Sequence, residues 1–332
     1  MTQQTTTARP LVTFALFAYN QEKYIREAVE SAFSQTYEPL EIILSDDCSS
    51  DRTFEIMQEM AAEYKGPHEV RVRCSEVNRG VLSHVLSVAH EANGDIFVVG
   101  AGDDISFQKR VEVIVQCFAG EDIYAFSSDD IIIDEHGKET DWDTRRIDQR
   151  DAWHKNKPAW VHGATAAYRT DFLKLLPIPE NPVFYEDMAF IELITVLKKN
   201  SIRYRYPLIK YRYHFENLSN RLSELKSLKE LEDVAIEGWR RTSVAKDYSV
   251  NSAKLLTMRD FQIDGDAYKK LSGESRYLSL IANWKENRLA EKFSLIYFGL
   301  RYGNVKASLA RVWGESIFFK LKRVRVFIST RK

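Results

Sequence analysis

The sequence predicts an α/β domain built on a mostly parallel sheet with helices on both faces, followed by a helical C-terminal appendage. Two observations carry this. Over the first hundred residues short apolar runs alternate with apolar stripes at helical spacing, and beyond about Leu222 the pattern is helical throughout, with no convincing strand. Connections this short between alternating strands and helices imply right-handed crossovers.

In order, Leu11 to Phe17 reads as a buried strand, and Ile25, Ala28, Val29, Ala32 and Phe33 form the stripe of the helix after it. Leu40 to Leu44 is a second strand, followed by a helix with Ile56, Met57, Met60, Ala61 and Tyr64 on one face. Val70 to Cys74 is a third strand, the next helix presents Val81, Val85, Val88, Ala89 and Ala92, and Ile96 to Val99 closes the series. After Ile105 the pattern changes. A helix with Val111, Ile114, Val115 and Phe118 leads into Tyr124 to Ile133, where the turn Glu135-His136-Gly137-Lys138 suggests a hairpin or sheet edge. Asp141 to Trp160 reads as a long surface loop, and strands at Gly163 to Tyr168 and Ile202 to Tyr213 flank a helix from about Glu186 to Lys199.

With 332 residues, 44% apolar and 29% charged, the chain can fill a sizeable core. A formal net charge of −1 gives no footprint for nucleic acid. Three scattered cysteines, Cys48, Cys74 and Cys117, lack metal-type spacing and suit a reducing compartment. No uncharged apolar run approaches the roughly 18 residues of a membrane span, and the polar stretch Met1 to Arg9 lacks a signal-peptide core, so a cytoplasmic location is expected.

In open parallel sheets ligands sit beyond the carboxyl ends of the strands, here Ala18 to Asn20, Ser45 to Asp51 and Gly100 to Asp104. No Walker loop and no dinucleotide fingerprint follows the first strand. Carboxylates stand there instead, Asp46-Asp47 and Asp103-Asp104. Acids gathered beside an anionic phosphate repel it unless a divalent cation lies between them, so the pattern implies magnesium or manganese.

Taken in order, Phe17-Ala18-Tyr19-Asn20, Ser34-Gln35-Thr36-Tyr37, Ser45-Asp46-Asp47-Cys48-Ser49-Ser50-Asp51, Asn78-Arg79-Gly80 and Ala101-Gly102-Asp103-Asp104 resemble the family 2 glycosyltransferases of the GT-A nucleotide-diphospho-sugar transferase fold. The similarity runs on through Gly163-Ala164-Thr165 and Glu186-Asp187 to about Tyr211 to Ser219. The resemblance implies a donor site of Phe17, Tyr19, Asn20, Asp47, Arg79 and Asp103. Within it Tyr19 packs on the base, Asp47 accepts from the imide N–H of uracil or thymine, and Asp103 contacts the ribose or sugar. Asp46, and alternatively Asp47, suits an Asx-type turn. The resemblance also implies that Asp104 ligates Mn²⁺ or Mg²⁺ bridging the diphosphate, that His214 closes over it as a further ligand, and that Asp187 is the catalytic base of an inverting transfer. Ala101 stands where many members have another aspartate. Asp103-Asp104 also suits the start of a helix at Ser106, and Glu186-Asp187 the first turn of theirs. Trp142, Trp153, Trp160 and His162 could line an acceptor cleft or simply pack.

Domain boundaries follow at residues 8 to 221 for the transferase domain and 222 to 332 for the helical region. In the latter, Trp313, Ile317, Leu321, Val324 and Ile328 recur at helical spacing beside Lys320, Lys322, Arg323, Arg325, Arg331 and Lys332. Such a tail suits an interfacial helix on anionic lipid at the cytoplasmic face of the inner membrane, or a terminal helix packed on the domain. The expected reaction moves a sugar from a UDP- or dTDP-sugar to a carbohydrate or lipid-linked acceptor in surface polysaccharide assembly. The alternatives are a catalytically silent binding subunit, made plausible by Ala101, and a nucleotidyltransferase, disfavoured because Phe17 to Gln21 holds no glycine.

Overall fold

The computed structural model describes residues 9–119, 122–140, 159, 161–214, 228–302 and 308. Two compact units divide the chain, residues 1–214 and 215–332. The tryptophans Trp142, Trp153 and Trp160 and the tail from Trp313 to Lys332 lie outside the described residues.

The first unit alternates β1 (Val12–Ala18), α1 (Ile25–Phe33), β2 (Leu40–Asp46), α2 (Thr53–Glu63), β3 (Glu69–Cys74), α3 (Val81–Glu91) and β4 (Ile96–Ala101). There follow β5 (Ile105–Ser106), α4 (Arg110–Phe118), β6 (Ile123–Ile133), a 3₁₀ turn at Gly163–Thr165, β7 (Ala167–Arg169), α5 (Thr170–Lys174), α6 (Glu186–Val196) and β8 (Asn200–Arg212). The eight-stranded sheet has the order β3-β2-β1-β4-β7-β6-β8-β5. Its first four strands are parallel, whereas β7 is antiparallel to both β4 and β6, and β8 runs parallel to β6.

Helices cover both faces of β1, β2 and β4, so these strands are apolar almost without alternation, as buried parallel strands are. One core cluster packs Phe14, Leu16, Ile42, Leu44 and Val98 against Ile25, Val29, Met57 and Ile114. Each such side chain contributes about 1.5–3 kcal/mol by leaving water. Glu41 is the exception inside β2. It is buried but satisfied, accepting from the Thr13 hydroxyl, from Asn93 N–H at 2.6 Å and from Arg71 Nη2 at 3.1 Å.

Several expectations are corrected. The stretch after Asp104 is the two-residue strand β5, and the helix begins only at Arg110, so Asp103 and Asp104 are not helix-start acids. β6 is an interior strand between β7 and β8 rather than a sheet edge. Its terminal turn is tight because the Asp134 carboxylate accepts from the N–H groups of His136 and Lys138, both at 2.9 Å, and Ile133 bridges Glu139. The strand expected from Gly163 is a 3₁₀ turn leading into the short β7.

In the second unit α7 (Leu228–Thr257), α8 (Gly265–Ala282) and α9 (Leu289–Tyr302) pack around Tyr277, Leu280, Ile281, Trp284 and Leu295. Asp264 caps α8, accepting from the N–H groups of Asp266 and Ala267. Lys246 and Glu274, 2.7 Å apart, join α7 to α8. No helix among the described residues is long and apolar enough to cross a membrane.

Candidate active site

The loops leaving β1, β2 and β3 are tied together by side chains that the turns themselves require. Asn20 has a left-handed φ of 54°, a conformation Asn tolerates. Its N–H donates to Ser49 Oγ at 2.8 Å, and its Oδ1 accepts from Ser50 N–H at 2.8 Å. Asp46 accepts from Ser49 N–H at 2.7 Å, which is the turn role read from the sequence. Asp47 is also buried, with one oxygen accepting from Arg79 N–H and the other from Gly80 N–H, both at 3.2 Å. Burial, ahead of those hydrogen bonds, raises its pKa above the ordinary value. Gly80 is required there: its φ is +77° and a Cβ would meet Pro182 at 3.1 Å.

Tyr19 stands exposed beside this loop, open to stack on a base. Phe17 does not. Its ring packs edge-on against His84 at 4.9 Å between centroids, so it supports the wall from beneath. Burial drives His84 down to about 3, and its neutral ring lies 2.6 Å from Ser45 Oγ.

At the end of β4, Asp103 and Asp104 are both buried. Two fully buried arginines hold the carboxyl ends of β4 and β8 around them. Arg212 donates its N–H to Asp104 Oδ1 at 2.8 Å, its Nε to Asp103 O at 2.9 Å and its Nη2 to Glu27 at 2.7 Å. Arg110 donates Nη1 to Ser106 Oγ at 2.9 Å and Nη2 to Val99 O at 2.7 Å and Ala164 O at 3.2 Å. His214, two residues past the end of β8, places Nε2 at 3.0 Å from Asp103 Oδ2.

The donor set fits a divalent ion. Asp104 Oδ2 is buried with no hydrogen-bond partner among the described residues. Burial first, and the neighbouring Asp103 second, push the Asp104 carboxyl well above the carboxylate range, against the opposing hydrogen bond from Arg212 and the charge of Arg110. Among the described residues no three acidic, histidine or cysteine side chains form a ready-made cage. Ions of the magnesium type bind phosphates with one or two protein carboxylates and need none.

Asp187 lies at the start of α6, behind the turn held by Arg110. Its Oδ2 accepts from Gly163 N–H at 3.4 Å and its Oδ1 from Met188 N–H at 2.7 Å. Burial raises its pKa, with His162 the largest opposing influence. The adjoining Glu186 is pushed up to about 8 by burial and by Asp187. Gly163 admits the pair, because a Cβ there would collide with Glu186 Oε1. His162 Nδ1 in turn stands 3.2 Å from Asp130 Oδ2 on β6, and its ring meets Tyr211 of β8 edge-on.

The structure therefore brings Tyr19, Asn20, Asp47 and Arg79 into one loop cluster, and Asp103, Asp104 and His214 into a second. His214 meets Asp103 rather than Asp104. Sequence reading missed Arg110, Arg212 and Asp130. Two arginines inside otherwise apolar or aromatic elements were the available signal.

Residues 13–176 match the model of glycosyl transferase family 2, a span that ends before Asp187. EpsE of Bacillus subtilis is 33% identical over 103 residues, 31% of this chain and 36% of that protein. Chondroitin synthase of Escherichia coli is 38% identical over 99 residues, 30% of this chain and 13% of that protein. The alignments thus span about a third or less of these relatives. Among solved structures, the mannosyltransferase PcManGT of Pyrobaculum calidifontis, in complex with GDP-Man and Mn²⁺, superposes with a TM-score of 0.56 at 16% identity, covering 98% of this chain and 81% of that one. TarS 1-349 of S. aureus, in complex with UDP-GlcNAc, superposes with a TM-score of 0.53 at 16% identity, covering 91% and 82%. The fold is GT-A-like.

Proposed function

We propose that this chain, which carries a glycosyl transferase family 2 domain over residues 13–176, is an inverting transferase. It would move a sugar from a UDP- or dTDP-sugar to a glycan or lipid-linked glycan acceptor in surface polysaccharide assembly. One observation carries the reading. Arg110 binds both Val99 O, at the end of the strand leading to Asp103 and Asp104, and Ala164 O, in the turn that holds Asp187. A phosphate-side acid pair and a candidate base are thereby fixed to one end of the sheet, where such folds bind ligands.

Tyr19 supplies the stacking face, Asp47 accepts from the base imide, and the exposed Arg79 reaches toward phosphate. The Asp47 oxygens already hold the Arg79 and Gly80 amides, so the base-reading group and the phosphate-side loop are set together. Asp103, Asp104 and His214 supply the donors for Mn²⁺ or Mg²⁺. When bound, the ion neutralises charge on the leaving diphosphate. Asp187 accepts the proton of the acceptor hydroxyl as that oxygen attacks the anomeric carbon, and the sugar inverts as the diphosphate departs. Burial raises the basicity of Asp187, with the neighbouring His162, set 3.2 Å from Asp130, acting in the opposite direction.

The likeness to chondroitin synthase over 30% of the chain supports an acceptor of the glycan type. The cationic tail supports work at the cytoplasmic face of an anionic membrane. A panel of nucleotide sugars assayed with manganese, scored for hydrolysis and transfer, tests the reading. Release of UDP or dTDP from one donor is expected, and inertness toward every sugar nucleotide would favour a silent binding subunit.

A further inference from the structure

The second unit presents a surface that the site does not use. On α9, Leu289, Phe293, Tyr297 and Leu300 are exposed at 72, 65, 56 and 63%. At 100° per residue their spacing confines them to about 80° of the helix circumference. The opposite side is also apolar, since Leu295 is buried and Phe298 packs on the cluster of Tyr277, Leu280, Ile281 and Trp284. A helix resting on a core by one face ordinarily turns polar residues outward. This one turns out four large apolar side chains.

What surrounds the stripe selects its partner. Projected on the same helix, Lys292 borders it on one side and Arg301 on the other, while the acid Glu291 falls on the far side, where the backbone of Arg288 donates to it. The chain then returns to this helix. Ser308 is fully buried, and a Cβ at Gly299 of α9 would collide with its side chain. Residues 303–332, which begin there, hold eight lysines and arginines against one acid, Glu315. A second copy laid on α9 would set Lys292 and Arg301 against cations of their own kind, whereas an anionic lipid surface matches both the apolar stripe and its rim.

We propose that the outer face of α9 docks on anionic membrane, with Leu289, Phe293, Tyr297 and Leu300 entering the interface and Lys292 and Arg301 meeting lipid phosphate. This deepens the membrane reading of the tail and takes from it only the class of surface. The docking helix belongs to the folded unit, so attachment does not depend on the tail alone.

The test is flotation of the full chain with vesicles of phosphatidylglycerol and phosphatidylcholine, against vesicles of phosphatidylcholine alone. The double variant Phe293→Asp/Leu300→Asp and the milder Phe293→Ser and Leu300→Ser are compared with the unaltered chain. Binding to the anionic vesicles should fall about tenfold or more in the double variant and less in the single ones. Thermal midpoint and donor hydrolysis should not change, because the altered residues are exposed. Undiminished flotation of the double variant, with flotation lost on deleting Trp313 to Lys332, would overturn α9 docking while sparing the tail reading. No flotation of the unaltered chain would overturn both. A change of oligomeric state by light scattering, with flotation unchanged, would assign the stripe to a second copy and overturn the proposal.

Discussion

Asp187→Asn separates the chemistry of the site from its architecture. The amide keeps the size of the carboxylate and one oxygen, which can still accept from Met188 N–H, now at 2.7 Å. It loses the basicity needed to take a hydroxyl proton. Loss of a general base costs about 10²–10⁴-fold, or roughly 3–5 kcal/mol of barrier. Burial raises Asp187 above the ordinary carboxylate value, so it is a stronger base than a free carboxylate. Stability should move the other way. Asp187 and Glu186 both have raised folded-state pKa values, so their stabilising contribution is complete below the unfolded values and is lost as pH rises through the folded ones. The amide removes one of these burdens and relieves Glu186 of its neighbour's charge. Because the amide also turns its NH₂ toward the Gly163 N–H, from which the lost oxygen had accepted, the rise in thermal midpoint near neutral pH should be small. Product release gives turnover, calorimetry gives donor affinity, and melts give the midpoint. Turnover within a few-fold of the unaltered chain would remove Asp187 from the mechanism, and a clear fall in the midpoint would make it a structural latch.

The same base sets a pH dependence. Since the ionised form works, kcat/KM should fall as pH drops, with its acid limb above the ordinary carboxylate range. In His162→Gln the limb should move higher still, because the side chain opposing the shift is gone, and an unmoved limb would exclude His162 from that role. Calorimetric affinity for UDP should collapse with chelator and in Asp104→Ala, whereas equal affinity with and without chelator would point to a metal-independent site. Deleting Trp313 to Lys332 should weaken attachment to anionic vesicles at low salt and spare donor hydrolysis, the basic residues each contributing about 1 kcal/mol. A lowered thermal midpoint with vesicle binding unchanged would make the tail part of the fold instead.

The parallel half of the sheet was legible because burial on both faces writes long apolar runs into β1, β2 and β4, and local periodicity reports burial directly. The region after Asp104 was less legible. β5 contributes only Ile105 and Ser106, and β7 only Ala167 to Arg169, lengths too short for any period to register. The clusters of the site were recognisable by ordered resemblance, but their internal wiring was not. That Asp47 holds two backbone amides, or that His214 meets Asp103, depends on loop closure across 32 and 111 residues of sequence. Arg110 and Arg212 look like ordinary surface charges until the carbonyls they serve are known.

Arg110 also determines how this enzyme could be recombined. The guanidinium belongs to α4, yet its two carbonyl partners lie on either side of the junction between the parallel half of the sheet and the segment that carries Asp187. A hybrid joined between α4 and β6, to graft the corresponding segment of a relative, would cut through this shared key. Such a graft would work only if the incoming turn offers a carbonyl where Ala164 does. A bulkier or displaced turn would leave a buried cation half satisfied and the two reacting ends out of gauge. The segment after α4 can therefore be exchanged in this scaffold only together with the turn that Arg110 reads.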